Sequence, residues 1–95
     1  MSRIFETKDK SGRNLYMSDE RWSHINREHP EVTHYLEEIK ETLRNPMKIT
    51  KYELDEDIRY YYNYFKEITK YLLVIVKYLN NHGFIITAYF VRHIK

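Results

Sequence analysis

Ninety-five residues, 42% of them hydrophobic and none of them cysteine, suit one small domain with a single core and exclude a disulfide framework or a thiolate metal site. The formal charge of +2 is unevenly spread: seven acids face four bases between residues 18 and 45, whereas after Glu67 come four cations (Lys70, Lys77, Arg92, Lys95) and no acid. A basic C-terminal part beside an acidic segment fits a polyanionic partner on one face, although uneven charge is also common in small domains.

The opening "MSRIFETKDK" is charged and has no apolar segment of the signal-peptide kind. The longest apolar run, "YLLVIV", is far too short for a membrane span. One cytoplasmic domain over residues 1–95, with no membrane contact, is therefore expected. "RIFETKDKSGRNLYM" reads as a short hairpin turning at Ser11-Gly12. Ser18 then offers an N-cap, with Asp19 and Glu20 in the first turn, where the helix dipole favours acids. Trp22, Ile25 and His29 follow at helical spacing. Pro30 is expected at the first position of a second helix, capped by His29. Val32, Tyr35, Leu36, Ile39 and Leu43 trace its apolar stripe, and "RNP" ends it. The two helices are predicted over 18–28 and 31–44.

From Met47 onward the pattern changes to that of strands. "MKITKYEL", "IRYYYNYF", "YLLVIVKYL" and "FIITAYFV" are rich in Tyr, Ile, Val and Thr, and "DED", "KEIT" and "NNHG" separate them. The predicted fold is α+β: a two-helix hairpin packed on a four-stranded antiparallel sheet, with a short N-terminal β-hairpin. Strand alternation puts Phe84, Ile86, Ala88 and Phe90 toward the helices, and Leu72, Val74 and Val76 with them. One consistent choice then gathers Arg59, Asn63, Lys77, Thr87 and Tyr89 on the opposite face, as a basic, hydroxyl-bearing surface able to hold phosphates and stack bases. In the hairpin around "NNHG", Lys77 is expected opposite a residue near Tyr89.

The tryptophan-led "W..HI...HPE", the helix closing in "I..TLRNP", and then "YLLVIVKY" and "IITAYFVRHIK" resemble the phage-associated branch of the barnase–EndoU–colicin RNase–RelE superfamily, over residues 18–95. That resemblance implies a small metal-independent ribonuclease of toxin or phage type, with RNA as substrate, no cofactor, and a cognate antitoxin or inhibitor protein as partner. It further implies His24 or His29 as acid or base, Lys77 with Arg59 or Arg92 holding the phosphate, and Thr87 and Tyr89 positioning it; Asn63 adds a substrate contact on the same face. Histidine suits the proton steps because it titrates near neutrality, and His29 at a helix N-terminus would meet a dipole that attracts phosphate.

Each residue also has a plainer role: His29 as a buried cap, His24 as a surface histidine, Lys77 as the exposed end of a strand, the tyrosines as sheet packing. His24, His29 and His34 recur every five residues, but Pro30 interrupts the helix and they share no face, so no metal site is expected. A non-catalytic module of the same fold that binds RNA or protein is the alternative function.

Overall fold

The computed structural model describes residues 2–95. Its elements run β1 (Arg3–Lys8), β2 (Asn14–Ser18), α1 (Asp19–Glu28), a 3-10 turn (Pro30–Val32), α2 (Leu36–Arg44), β3 (Lys48–Tyr52), β4 (Asp55–Phe65), β5 (Lys70–Leu79) and β6 (His82–Val91). The strands form one six-stranded sheet in the order β1-β2-β6-β5-β4-β3, antiparallel except for the parallel pair β2–β6. The class is α+β as predicted, but the sheet is six-stranded and mixed instead of four-stranded and antiparallel. The N-terminal hairpin is its continuation, not a separate ornament. Among the described residues no helix is long and apolar enough to cross a membrane.

Ser18 caps α1 as its sequence suggests: its hydroxyl accepts from the Arg21 amide at 3.0 Å. The second helix begins later than Pro30 implies. Pro30 opens only a 3-10 turn, and His29 makes no side-chain cap bond there. The Thr33 hydroxyl bonds to the Pro30 carbonyl at 2.8 Å and to Asn26 Oδ1 at 2.6 Å, a local alternative to helical continuation that turns the chain before Leu36. His29 instead terminates α1, its amide donating to the Ile25 carbonyl at 2.7 Å. No α-helical N-terminus therefore lies at His29.

Ile25, Val32, Ile39 and Leu43 bury fully against Leu72, Val74, Val76 and Ala88 of the sheet and Leu15 and Met17 of β2. Each fully buried aliphatic side chain contributes about 1.5–3 kcal/mol before the entropy of ordering is set against it.

Two features decide which residues face away from the helices. In the β5–β6 ladder Ile75 faces Thr87 but Val76 faces Ile85, so Ile86 is an extra residue in a bulge. The bulge reverses the alternation: Ile85 enters the core, and Phe84 lies opposite Lys77 on the outer face, contrary to the uninterrupted pattern expected from sequence. On β4 the expected parity is also reversed. Arg59, Tyr61 and Asn63 lie opposite Val76, Val74 and Leu72 on the helix side, which sends Tyr60, Tyr62 and Tyr64 outward. A buried polar chain fixes this choice: the Tyr61 and Tyr78 hydroxyls bond to each other, and Tyr78 donates to Asp9 at 2.7 Å. Such groups, once out of water, must find partners, and an inward Tyr61 both finds one in Tyr78 and completes the chain to Asp9.

The parallel joint between β2 and β6 is short: Asn14, Leu15 and Tyr16 lie opposite His82, Gly83 and Phe84. From Ile85 onward, β6 has no strand on that side. The end of α1 and the 3-10 turn pack along this open edge.

Candidate active site

The open edge of β6 lets a residue from the helix layer reach the outer face of the sheet. His29, where α1 ends, is that residue: its ring stacks on Tyr89 with centroids 4.7 Å apart and planes 18° from parallel. The imidazole keeps 30% of its side-chain surface exposed, and its Nδ1 lies 3.7 Å from Glu31 Oε2, an ion-pair distance when the ring is protonated. Pro30 contributes by ending α1 here and turning the chain so that Glu31 returns beside the ring.

Beyond Val91 the chain crosses back over the outer face. The Lys95 amide donates to the Tyr62 hydroxyl at 3.0 Å, and Lys95 Nζ donates to the Tyr89 hydroxyl at 3.0 Å. That hydrogen bond holds the Lys95 ammonium above the ordinary lysine range, more than its slight burial lowers it. Burial, and then the neighbouring Tyr52 and Tyr89, push the Tyr60 phenol up, so it stays neutral throughout the physiological range. Thr87 stands one step along the same face of β6 from Tyr89. Its hydroxyl is buried without a hydrogen-bond partner.

The remaining sequence-predicted residues lie elsewhere. Lys77 shares the outer face but pairs with Phe84, whereas Tyr89 pairs with Leu73, about 13 Å away along β5. The hairpin turn is only Asn80-Asn81, with Asn80 in the left-handed region (φ 51°), so the register differs from the four-residue connection expected. Lys77 Nζ is also engaged by Asp55 at 2.5 Å; that bond raises the lysine and lowers the carboxyl, each away from its ordinary range. His24 is on the solvent side of α1, 3.3 Å from Glu28 and 3.1 Å from Arg27. Arg59 lies on the helix side and bonds to the Glu56 and Ile58 carbonyls. Asn63 accepts from the Met47 amide at 2.8 Å, holding the start of β3. Arg92 follows β6 directly and is exposed. Of the predicted set, then, His29, Tyr89 and Thr87 come together, while Lys77, His24, Arg59 and Asn63 do not join them.

Glu31, Tyr62 and Lys95 were not singled out by sequence. Lys95 was visible as one of the four terminal cations, and Glu31 as part of "HPE". Nothing local in the sequence shows that residues 92–95 fold back across the sheet. Among the described residues no three His, Asp or Glu side chains group as a metal ion would require.

An imidazole backed by a carboxylate, an ammonium, two phenols and a threonine hydroxyl thus share one patch. Proton transfer and stabilisation of a charged phosphoryl group need these kinds of groups. A family model described as phage-Barnase-EndoU-ColicinE5/D-RelE like nuclease2 matches residues 2–93. No curated protein and no solved structure matches the chain. With that match spanning almost the whole sequence, the chain belongs to the phage-Barnase-EndoU-ColicinE5/D-RelE like nuclease2 family, whose nuclease character implies a nucleic-acid substrate.

Proposed function

We propose that the protein is a metal-independent ribonuclease working on the outer face of its sheet, where His29 reaches around the open edge of β6. The observation that carries this reading is the stacking of His29 on Tyr89 at 4.7 Å, with Lys95 on the same phenol. In the proposed reaction the RNA 2′-oxygen attacks phosphorus and the bond to the 5′-oxygen breaks. One group takes the 2′-proton and another supplies a proton to the leaving oxygen. His29 is the candidate for one of these proton steps, with Glu31 stabilising the imidazolium. Lys95 and the exposed Arg92 are the candidate cations for the phosphorane, and Tyr89 positions it; Thr87, whose hydroxyl is buried, does not reach the substrate directly. Lys95 takes the part that sequence suggested for Lys77. A toxin or mobile-element role, a cognate inhibitor protein as partner and a cytoplasmic site of action belong to the same proposal.

The product ends test it. In EDTA, wild type should cut single-stranded RNA and leave 2′,3′-cyclic phosphate and 5′-hydroxyl ends. Replacing the ribose at the cut site by deoxyribose should block cleavage. Cleavage that persists on deoxyribose, or that EDTA abolishes, would rule out this chemistry. The non-catalytic reading draws on one observation, that Lys77 is already neutralised by Asp55; it predicts RNA binding without any cut.

A further inference from the structure

Beside the candidate active site, the edge of the sheet carries a second feature that the reaction does not use. Tyr52, at the end of β3, stacks on Tyr60 of β4 with centroids 5.8 Å apart and planes 11° from parallel. The pair borders a cavity of about 440 Å³, within the range of small-ligand sites. Lys95 lines the same cavity while its ammonium touches Tyr89, so it stands between this cavity and His29. Lys51, Glu53 and Leu54 also line it, and Leu54 is 81% exposed.

We infer that the Tyr52–Tyr60 pair is a stacking subsite for an unpaired base of single-stranded RNA, next to the nucleotide whose phosphate lies between Lys95 and His29. This rests on the ribonuclease reading above and names its substrate class. The Tyr52 and Tyr60 rings are already in contact, so the base lies against the open side of the pair, over the cavity, and does not slot between them. A base can offer its face to a phenol at a sheet edge only when it has left a duplex. Lys51 and Glu53 line the same cavity with opposite charges, so the preference for a single strand rests on the stacking geometry. Leu54 supplies apolar surface against the outer edge of the base. Tyr60 is held in place by Tyr62, whose ring centroid is 6.5 Å away and which is itself fully buried. The Tyr60 half of the platform is therefore packed against the protein before the RNA arrives, which lowers the ordering cost of binding.

Binding of a fully 2′-O-methylated, fluorescein-labelled RNA strand, which cannot be cleaved through its 2′-oxygen, separates this inference from catalysis. Tyr52→Leu should weaken binding of the single strand about tenfold, while Tyr52→Phe, which keeps the ring, should stay within about twofold of wild type. The same strand annealed to its complement should bind more weakly and respond to neither change. Tyr52→Trp, with a larger stacking face, should bind at least as tightly as wild type, which keeps the test decisive if circular dichroism shows Tyr52→Leu misfolded. Equal binding by wild type and folded Tyr52→Leu, a Tyr52→Phe as weak as Tyr52→Leu, or a duplex bound as tightly as the single strand would overturn the subsite. Tyr52-dependent binding of the single strand by a protein that cuts no RNA would uphold the subsite and remove the ribonuclease reading.

Discussion

Asp9 gives the sharpest test of how the N-terminal hairpin is tied to the sheet. Its side chain is buried, and it accepts from the Tyr78 hydroxyl at 2.7 Å, the Ser11 hydroxyl at 2.8 Å and the Ser11 and Arg13 amides at 2.9 Å, with the Arg13 guanidinium at 3.3 Å. Burial pushes the Asp9 carboxyl up, but the bonds from Tyr78, Ser11 and Arg13 together outweigh it and hold the group below its ordinary range. Asp9→Ala removes all of them. The two amides and the half-exposed guanidinium can return to water, and Tyr61 and Tyr78 can still bond to each other, so the unrecovered loss is one charge-assisted bond and the local turn. At about 1.5–3 kcal/mol for the former and about 1 for the latter, the cost should be near 3 kcal/mol. For an m-value of about 1–3 kcal/mol/M, the urea midpoint should fall by about 1–3 M. Asp9→Asn adds a pH test. Because the folded carboxyl titrates below its unfolded value, its stabilisation is complete above the ordinary carboxylate range and is lost as pH falls through the folded pKa. The advantage of wild type over Asp9→Asn should thus be constant from about pH 5 to 7 and shrink below about pH 4. An Asp9→Ala midpoint equal to wild type, or a gap to Asp9→Asn that widens in acid, would refute this account.

Gly83→Ala should destabilise by about 1–3 kcal/mol in urea unfolding, because the added Cβ would lie 2.7 Å from the Lys77 carbonyl and 2.9 Å from Leu15 where β2 meets β6. Ser18→Ala should cost about 1 kcal/mol by the same measurement, through loss of the α1 cap. Lys77→Met should lower RNA cleavage by less than about threefold, small against the hundredfold expected of a group acting in the chemistry, since its ammonium is engaged by Asp55.

The period change after Pro46 made the helix-then-strand order readable, and "YLLVIVKYL" was recognisable as a central strand because both its faces are apolar. What failed were facts that no single segment contains. Tyr60 to Tyr64 are nearly alike on both faces, so the inward choice of Tyr61 depended on Asp9 and Tyr78, far away in the chain. The bulge at Ile86 sits in an unbroken β-branched run, with no glycine or proline to mark it. The parallel β2–β6 pair arises only once α1 and α2 bring the hairpin back to the sheet. For the site, "HPE" drew attention to His29, and an overhang at a sheet edge was the condition for it to meet Tyr89, which it does. Lys77 seemed equally suitable because composition cannot show that Asp55 would occupy it.

His29, not His24, is the histidine proposed to serve the chemistry, because His29 stacks on Tyr89, the phenol that Lys95 also bonds. Initial rates of single-stranded RNA cleavage in EDTA should be compared for wild type, His29→Ala and His24→Ala, each shown by circular dichroism to be folded. His29→Ala should lose about a hundredfold or more, and His24→Ala, which removes only contacts with the exposed Glu28 and Arg27, should remain within about threefold of wild type. A folded His29→Ala that cleaves at the wild-type rate, or a His24→Ala that is the inactive one, would contradict the account.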